Sequence, residues 1–140
     1  MSVYLDASIL VSLFTVDTLT ARADAALRER SPLLVVSDFA TAEFASAMAR
    51  RVRMQIITAD EARAAFSTFD AWIARTTTLI SVTSADVTAA AGFLRRLDLT
   101  LRTQDALHIA IAQRVGAALF TFDQQMASAA RALGTNALDR

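Results

Sequence analysis

The sequence contains no cysteine and no lysine, a single histidine, a single proline and three glycines. Without cysteine there are no disulfides, thiolate zinc sites, iron–sulfur clusters or cysteine nucleophiles. Without lysine there is no Schiff base, P-loop lysine or receiver-domain lysine. All 14 basic residues are arginine, a bias that a GC-rich genome explains together with the abundant alanine. The lone His108 leaves no multi-histidine metal cluster. Three glycines are too few for a glycine-rich phosphate cradle, and neither a GxxxxGKS/T nor a GxGxxG pattern occurs. No run reaches the roughly 18 uninterrupted apolar residues of a membrane span. The opening residues, Met1 to Asp6, lack the basic segment and long apolar stretch of a signal peptide. The absence of a signal peptide and of cysteine both suit the cytoplasm. The 14 acidic residues cancel the 14 basic ones. That balance argues against a broad basic face for nucleic acid but leaves room for a local arginine patch.

What is present reads as one domain over residues 1–140, with 54% hydrophobic residues. A chain of this size hides roughly two-thirds of its unfolded surface, and the composition excludes disorder. Short apolar runs alternate with longer helical patterns, as in an α/β fold with a parallel sheet. Strands are expected at 3–5, 33–36, 79–82 and 119–122, with a short fifth near 136–138. Helices are expected at 8–14 and 18–30. Ser37 is a fitting N-cap for a helix reaching about residue 53. Thr58, Ala59, Asp60 and Glu61 form a capping box for a helix to about residue 75. Ser84 caps a helix to about 97, with Asp86 in its favourable first turn. Another helix opens at Thr103 or Gln104 and closes before Gly116. The last runs from 124 to 133 and stops at Gly134.

Ligands of open parallel sheets bind outside the carboxyl ends of the strands. Acids concentrate there: Asp6 after the first strand, Asp38 and Glu43 after the second, and Asp123 after the fourth. Asp105 opens a helix that can point at the same edge. Singly, each aspartate reads as a turn or cap residue. Glu43 stands on a helix rich in small apolar residues (Ala40, Ala42, Ala45, Ala47, Ala49), where its plain reading is a solvated face. Together, carboxylates without a histidine, cysteine or lysine beside them repel one another. A hard divalent cation relieves the repulsion, and oxygen ligands alone suit Mg²⁺ or Mn²⁺. The chemistry that follows is metal-assisted attack of water on a phosphodiester, which needs no histidine base.

Four blocks then resemble, in order and over essentially the whole length, a PIN-domain ribonuclease of the VapC toxin type. They are Tyr4-Leu5-Asp6-Ala7-Ser8, residues 37–43 from Ser37 to Glu43, residues 101–110 around Asp105, and Leu119-Phe120-Thr121-Phe122-Asp123. The resemblance implies a three-layer α/β/α sandwich with a parallel sheet of four or five strands. It assigns the acidic roles, catalytic and metal-holding, to Asp6, Glu43, Asp105 and Asp123, with Thr121 a supporting hydroxyl. It also implies an Mg²⁺- or Mn²⁺-dependent endoribonuclease, a homodimer, and a small antitoxin whose tail enters the acidic groove. Asp38 lies outside the four-acid pattern and reads as a first-turn helix residue; Asp98 reads as a loop residue.

Ser8, two residues after Asp6, is placed to hydrogen-bond that carboxylate or to cap the following helix. His108, one turn beyond Asp105, reads as a satisfied structural residue. Arg102 is the preferred contact for RNA phosphate. Arg50, Arg51 and Arg53, and Arg95 with Arg96, read as charges complementing helix C-termini. Phe66, Phe69 and Ile73, with Trp72 beside them, form a core stripe; the resemblance sets this region near the antitoxin groove. Two rivals stand against the ribonuclease. One is another metal-dependent phosphohydrolase on the same sheet; a haloacid-dehalogenase-type phosphatase would need an aspartate where Ser8 stands, and a lysine. The other is a non-catalytic protein-binding module.

Overall fold

The computed structural model of the chain describes residues 1–15, 19–30 and 32–139, apart from the side chain of Arg30. In chain order the elements are β1 (Ser2–Leu5), α1 (Ala7–Phe14), α2 (Thr20–Arg30), β2 (Leu33–Ser37), α3 (Asp38–Arg53), α4 (Ala59–Thr76), β3 (Thr77–Ile80), α5 (Ser84–Arg95), α6 (Thr103–Val115), β4 (Ala118–Phe120), α7 (Gln124–Ala132) and β5 (Ala137–Leu138). The strands form a five-stranded parallel sheet in the order β3-β2-β1-β4-β5. No described helix is long and apolar enough to cross a membrane.

Strand side chains alternate between faces, and here both faces are covered. Val3, Leu5, Leu34, Val36 and Phe120 point into a core shared with α1 to α4. Tyr4, Val35 and Leu119 point into a second core shared with α5, α6 and α7. Burial on both faces is why the central strands read as unbroken apolar runs. The expected three-layer sandwich is therefore present.

Local chemistry fixes most boundaries. Ser37 Oγ accepts the Ala40 N–H at 3.0 Å and caps α3. The Thr58–Glu61 box opens α4 with two bonds of 3.1 Å. Gly116 takes the left-handed conformation (φ 67°) that ends α6. Four expectations need correction. The third strand spans 77–80 rather than 79–82, because Thr77 and Thr78 pair with Leu34 and Val35. Leu79 is 54% exposed, so at this edge the β-branched threonines, and not an apolar run, mark the strand. The cap of α5 is Thr83 rather than Ser84: of the two hydroxyls, Thr83 stands three residues before Asp86, and both bonds of the box form (2.9 and 3.2 Å). That helix ends at Arg95, since Leu97 adopts a left-handed φ of 67°. The fourth strand stops at Phe120, two residues early, where the chain turns to deliver Thr121 and Asp123. The expected helix start at Thr18 lies outside the described residues.

From β1 in the centre the chain runs to β2 and β3 on one side, then to β4 and β5 on the other. The strand order thus reverses between β1 and β4. The chain leaves β1 for α1 on one face and β4 for α7 on the other, and the diverging connections leave the crevice where α/β sheets hold ligands.

Candidate active site

Asp6 leaves β1 at this reversal point. It is itself the N-cap of α1 and accepts the Ile9 N–H at 3.2 Å. Two hydroxyls donate to it, Ser8 Oγ at 2.6 Å and, from across the reversal point, Thr121 Oγ1 at 2.6 Å. The same hydroxyls accept backbone N–H groups from the turn after β4: Phe122 to Ser8 at 3.3 Å and Asp123 to Thr121 at 3.0 Å. Ser8 is therefore a partner of the carboxylate; the capping role belongs to Asp6. Asp6 is 2% exposed. Burial pushes its carboxyl above the ordinary aspartate range, against the pull of the three hydrogen bonds.

Glu43 projects from the second turn of α3 and is held by His108 Nε2. On the other side of the ring, Nδ1 lies 2.6 Å from the Tyr4 hydroxyl, which is 2.7 Å from Ser37 Oγ. A neutral imidazole satisfies every group in turn. Ser37 takes the Ala40 N–H and donates to Tyr4; Tyr4 donates to Nδ1; Nε2–H donates to Glu43. Burial raises the Tyr4 hydroxyl pKa, consistent with a phenol that keeps its proton. His108 is thus buried and satisfied, as expected, and it also fixes Glu43. Its sequence signal was the one-turn offset from Asp105, which puts both side chains on one face of α6.

Asp105 accepts the Arg102 backbone N–H at 3.0 Å and two guanidinium bonds at 3.2 and 3.3 Å. Arg102 also lies 3.6 Å from Asp123. Asp123 caps α7 by accepting the Gln125 and Met126 N–H groups at 3.0 and 3.1 Å. The four acids line one open cleft of about 750 Å³. Asp38 and Asp98 lie elsewhere: Asp38 accepts the Val82 N–H at 2.8 Å, and Asp98 takes a two-pronged contact from Arg96. Phe69 and Ile73 are core residues, with Phe66 and Trp72 packed partly buried against them. Arg50, Arg51 and Arg53 end α3, as expected, but also line the acidic cleft.

The PIN domain family matches residues 3–132. The chain belongs to the PIN-domain family. Solved structures share the fold. The VapC20 toxin of Mycobacterium tuberculosis, described as cleaving the sarcin–ricin loop, is 20% identical with a TM-score of 0.73, over 91% of this chain and 94% of that one. VapBC2 from Rickettsia felis, bound to a promoter DNA fragment, is 14% identical with a TM-score of 0.72, over 99% and 98%. VapBC-1 from nontypeable Haemophilus influenzae is 14% identical with a TM-score of 0.71, over 99% and 98%. No curated protein matches the sequence significantly.

The donor chemistry of this PIN domain suits a hard divalent cation: four carboxylates on one cleft, in a sequence without a thiol. As the side chains lie, no three His, Asp or Glu groups among the described residues are close enough to share an ion. Each acid is instead engaged by the protein. Arg102 bridges Asp105 and Asp123 as a stand-in cation, and His108 holds Glu43.

Proposed function

We propose that this PIN domain is an Mg²⁺- or Mn²⁺-dependent endoribonuclease toxin, silenced by a small antitoxin protein. The supporting observation is the convergence of Asp6, Glu43, Asp105 and Asp123, from four separate segments, on one cleft at the reversal point of the sheet. In this reading the four carboxylates hold the ion or ions. A bound ion supplies activated water at neutral pH and countercharge for the phosphate. Ser8 and Thr121 keep Asp6 aimed into the cleft, and His108 keeps Glu43 there. Arg102, at the junction of Asp105 and Asp123, would offer its guanidinium to the RNA phosphate. Hydrolysis leaves a 5′-phosphate and a 3′-hydroxyl. The toxin works in the cytoplasm as a homodimer, a single domain per chain, with the antitoxin tail entering the acidic groove.

The test is cleavage of total bacterial RNA by antitoxin-free protein with Mg²⁺ or Mn²⁺, beside EDTA and Asp6→Asn controls, with product ends sequenced. Discrete cuts that need both the ion and Asp6 are expected. Cuts that persist in EDTA or with Asp6→Asn overturn the reading; no cuts and no Mn²⁺ binding favour a protein-binding module. Asp6→Asn also carries a stability signature. The folded pKa of Asp6 lies above its unfolded value, so the folded state holds more protons between the two, and stability falls as pH rises through that window. Above it the ionised buried carboxylate is a cost. Asp6→Asn is therefore expected to melt at or above the wild-type temperature at neutral pH, its advantage shrinking on acidification.

A further inference from the structure

A polyanion entering a cleft lined by four carboxylates is repelled unless cations offset them. Of the four arginines on this cleft, Arg102 has its charge taken up by Asp105 and Asp123. Arg50, Arg51 and Arg53 make no side-chain hydrogen bond or ion pair among the described residues, and none bonds a carbonyl at the end of α3. Their positions follow from helix geometry. Arg50 is seven residues beyond Glu43, nearly two turns, so it lies on the same face about 10 Å along the axis. Arg51 and Arg53 flank it. One helix thus presents an acid at the reaction centre and, further along the same cleft, three uncommitted guanidiniums.

We propose that Arg50, Arg51 and Arg53 bind the sugar–phosphate backbone of single-stranded RNA flanking the cut, holding the strand along α3 while the scissile phosphate meets the carboxylates. This rests on the ribonuclease reading and adds the site that carries the substrate's affinity. Guanidiniums contact phosphate without reading the base, so the site sets register and not sequence.

The experiment measures binding with cleavage switched off. Full-length Asp6→Asn protein in EDTA is titrated into fluorescein-labelled single-stranded RNA across a NaCl series, read by anisotropy. Each lost phosphate contact lowers the slope of log affinity against log salt by about 0.7 for single strands. Arg50→Ala with Arg53→Ala in this background is expected to lower the slope by about 1.4 and weaken low-salt binding about tenfold. Arg50→Lys with Arg53→Lys should retain most of the slope. Arg75→Ala with Arg95→Ala, away from the cleft, should leave it unchanged. If the double alanine variant does not fold, Arg53→Ala alone should lower the slope by about 0.7. An unchanged slope in the cleft variants overturns the proposal and leaves these arginines to an acidic protein partner. An equal loss in the control pair also overturns it, because binding is then diffuse. Absence of both cleavage and Mn²⁺ binding in the wild type sinks the nuclease reading and is seen separately from this binding assay.

Discussion

The two faces of the sheet are built from different materials. The face under α1 to α4 is aromatic: Phe44 stacks on Phe69 with ring centroids 4.0 Å apart, and Phe14 meets Phe44, Phe69 and Trp72 edge-on. The face under α5 to α7 is lined with alanine, including Ala90, Ala106, Ala110, Ala112, Ala129 and Ala130. Large rings contribute burial and interlock. Alanines contribute little area but let backbones approach, and α6 is buried from Asp105 through Ala112. Polar groups are admitted on the alanine side, where Tyr4, His108 and Ser37 form a bonded chain to Glu43. One face carries mainly stability, and the other holds the site in place.

Three substitutions separate these roles, from the largest effect on stability to the smallest. Phe44→Ala removes a fully buried ring and should cost about 3–5 kcal/mol in denaturant unfolding, while Mn²⁺ affinity per folded molecule stays near wild type. A tenfold loss of that affinity would show that the aromatic face also shapes the site. His108→Phe keeps much of the ring's shape but strands the Tyr4 hydroxyl and frees Glu43. It should cost about 1–3 kcal/mol and weaken Mn²⁺ binding about 10- to 100-fold by calorimetry; unchanged binding would reduce His108 to packing. Asp86→Asn tests the rim of the alanine face, where Arg114 bonds Asp86 at 2.7 and 3.0 Å. Burial pulls the Asp86 carboxyl upward, but Arg114 and the Thr83 cap outweigh it and hold it below the usual range. Its stabilisation is complete above the unfolded pKa of about 3.9 and is lost as pH falls through the lower folded value. The variant should be about 1–2 kcal/mol less stable at pH 7, with the gap closing below about pH 4. A gap independent of pH would remove the ion pair from the account.

The sheet was readable because 34–36 and 119–120 are buried on both sides and so are uniformly apolar. The edge strand was misplaced because Thr77 and Thr78 pair through the backbone with little burial to mark them. The four acids could be named from their positions after strands and at a helix start. What surrounds them was not readable, because it depends on partners far apart in the chain: His108 on Glu43 across 65 residues, and Thr121 on Asp6 across 115. The arginines of α3 show the same limit. A helix-end reading is local and correct, whereas their place on the acidic cleft exists only after folding.

The hydrogen bond from Thr121 to Asp6 closes the largest loop in the site. A ribosome extending this chain exposes Asp6 and Glu43 long before Asp105, Thr121 and Asp123 are made. On the proposed function, the growing polypeptide passes through most of its synthesis unable to cut the RNA around it. The hazard begins only when the strand beside β1 is in place, which gives a newly made antitoxin an interval in which to arrive first.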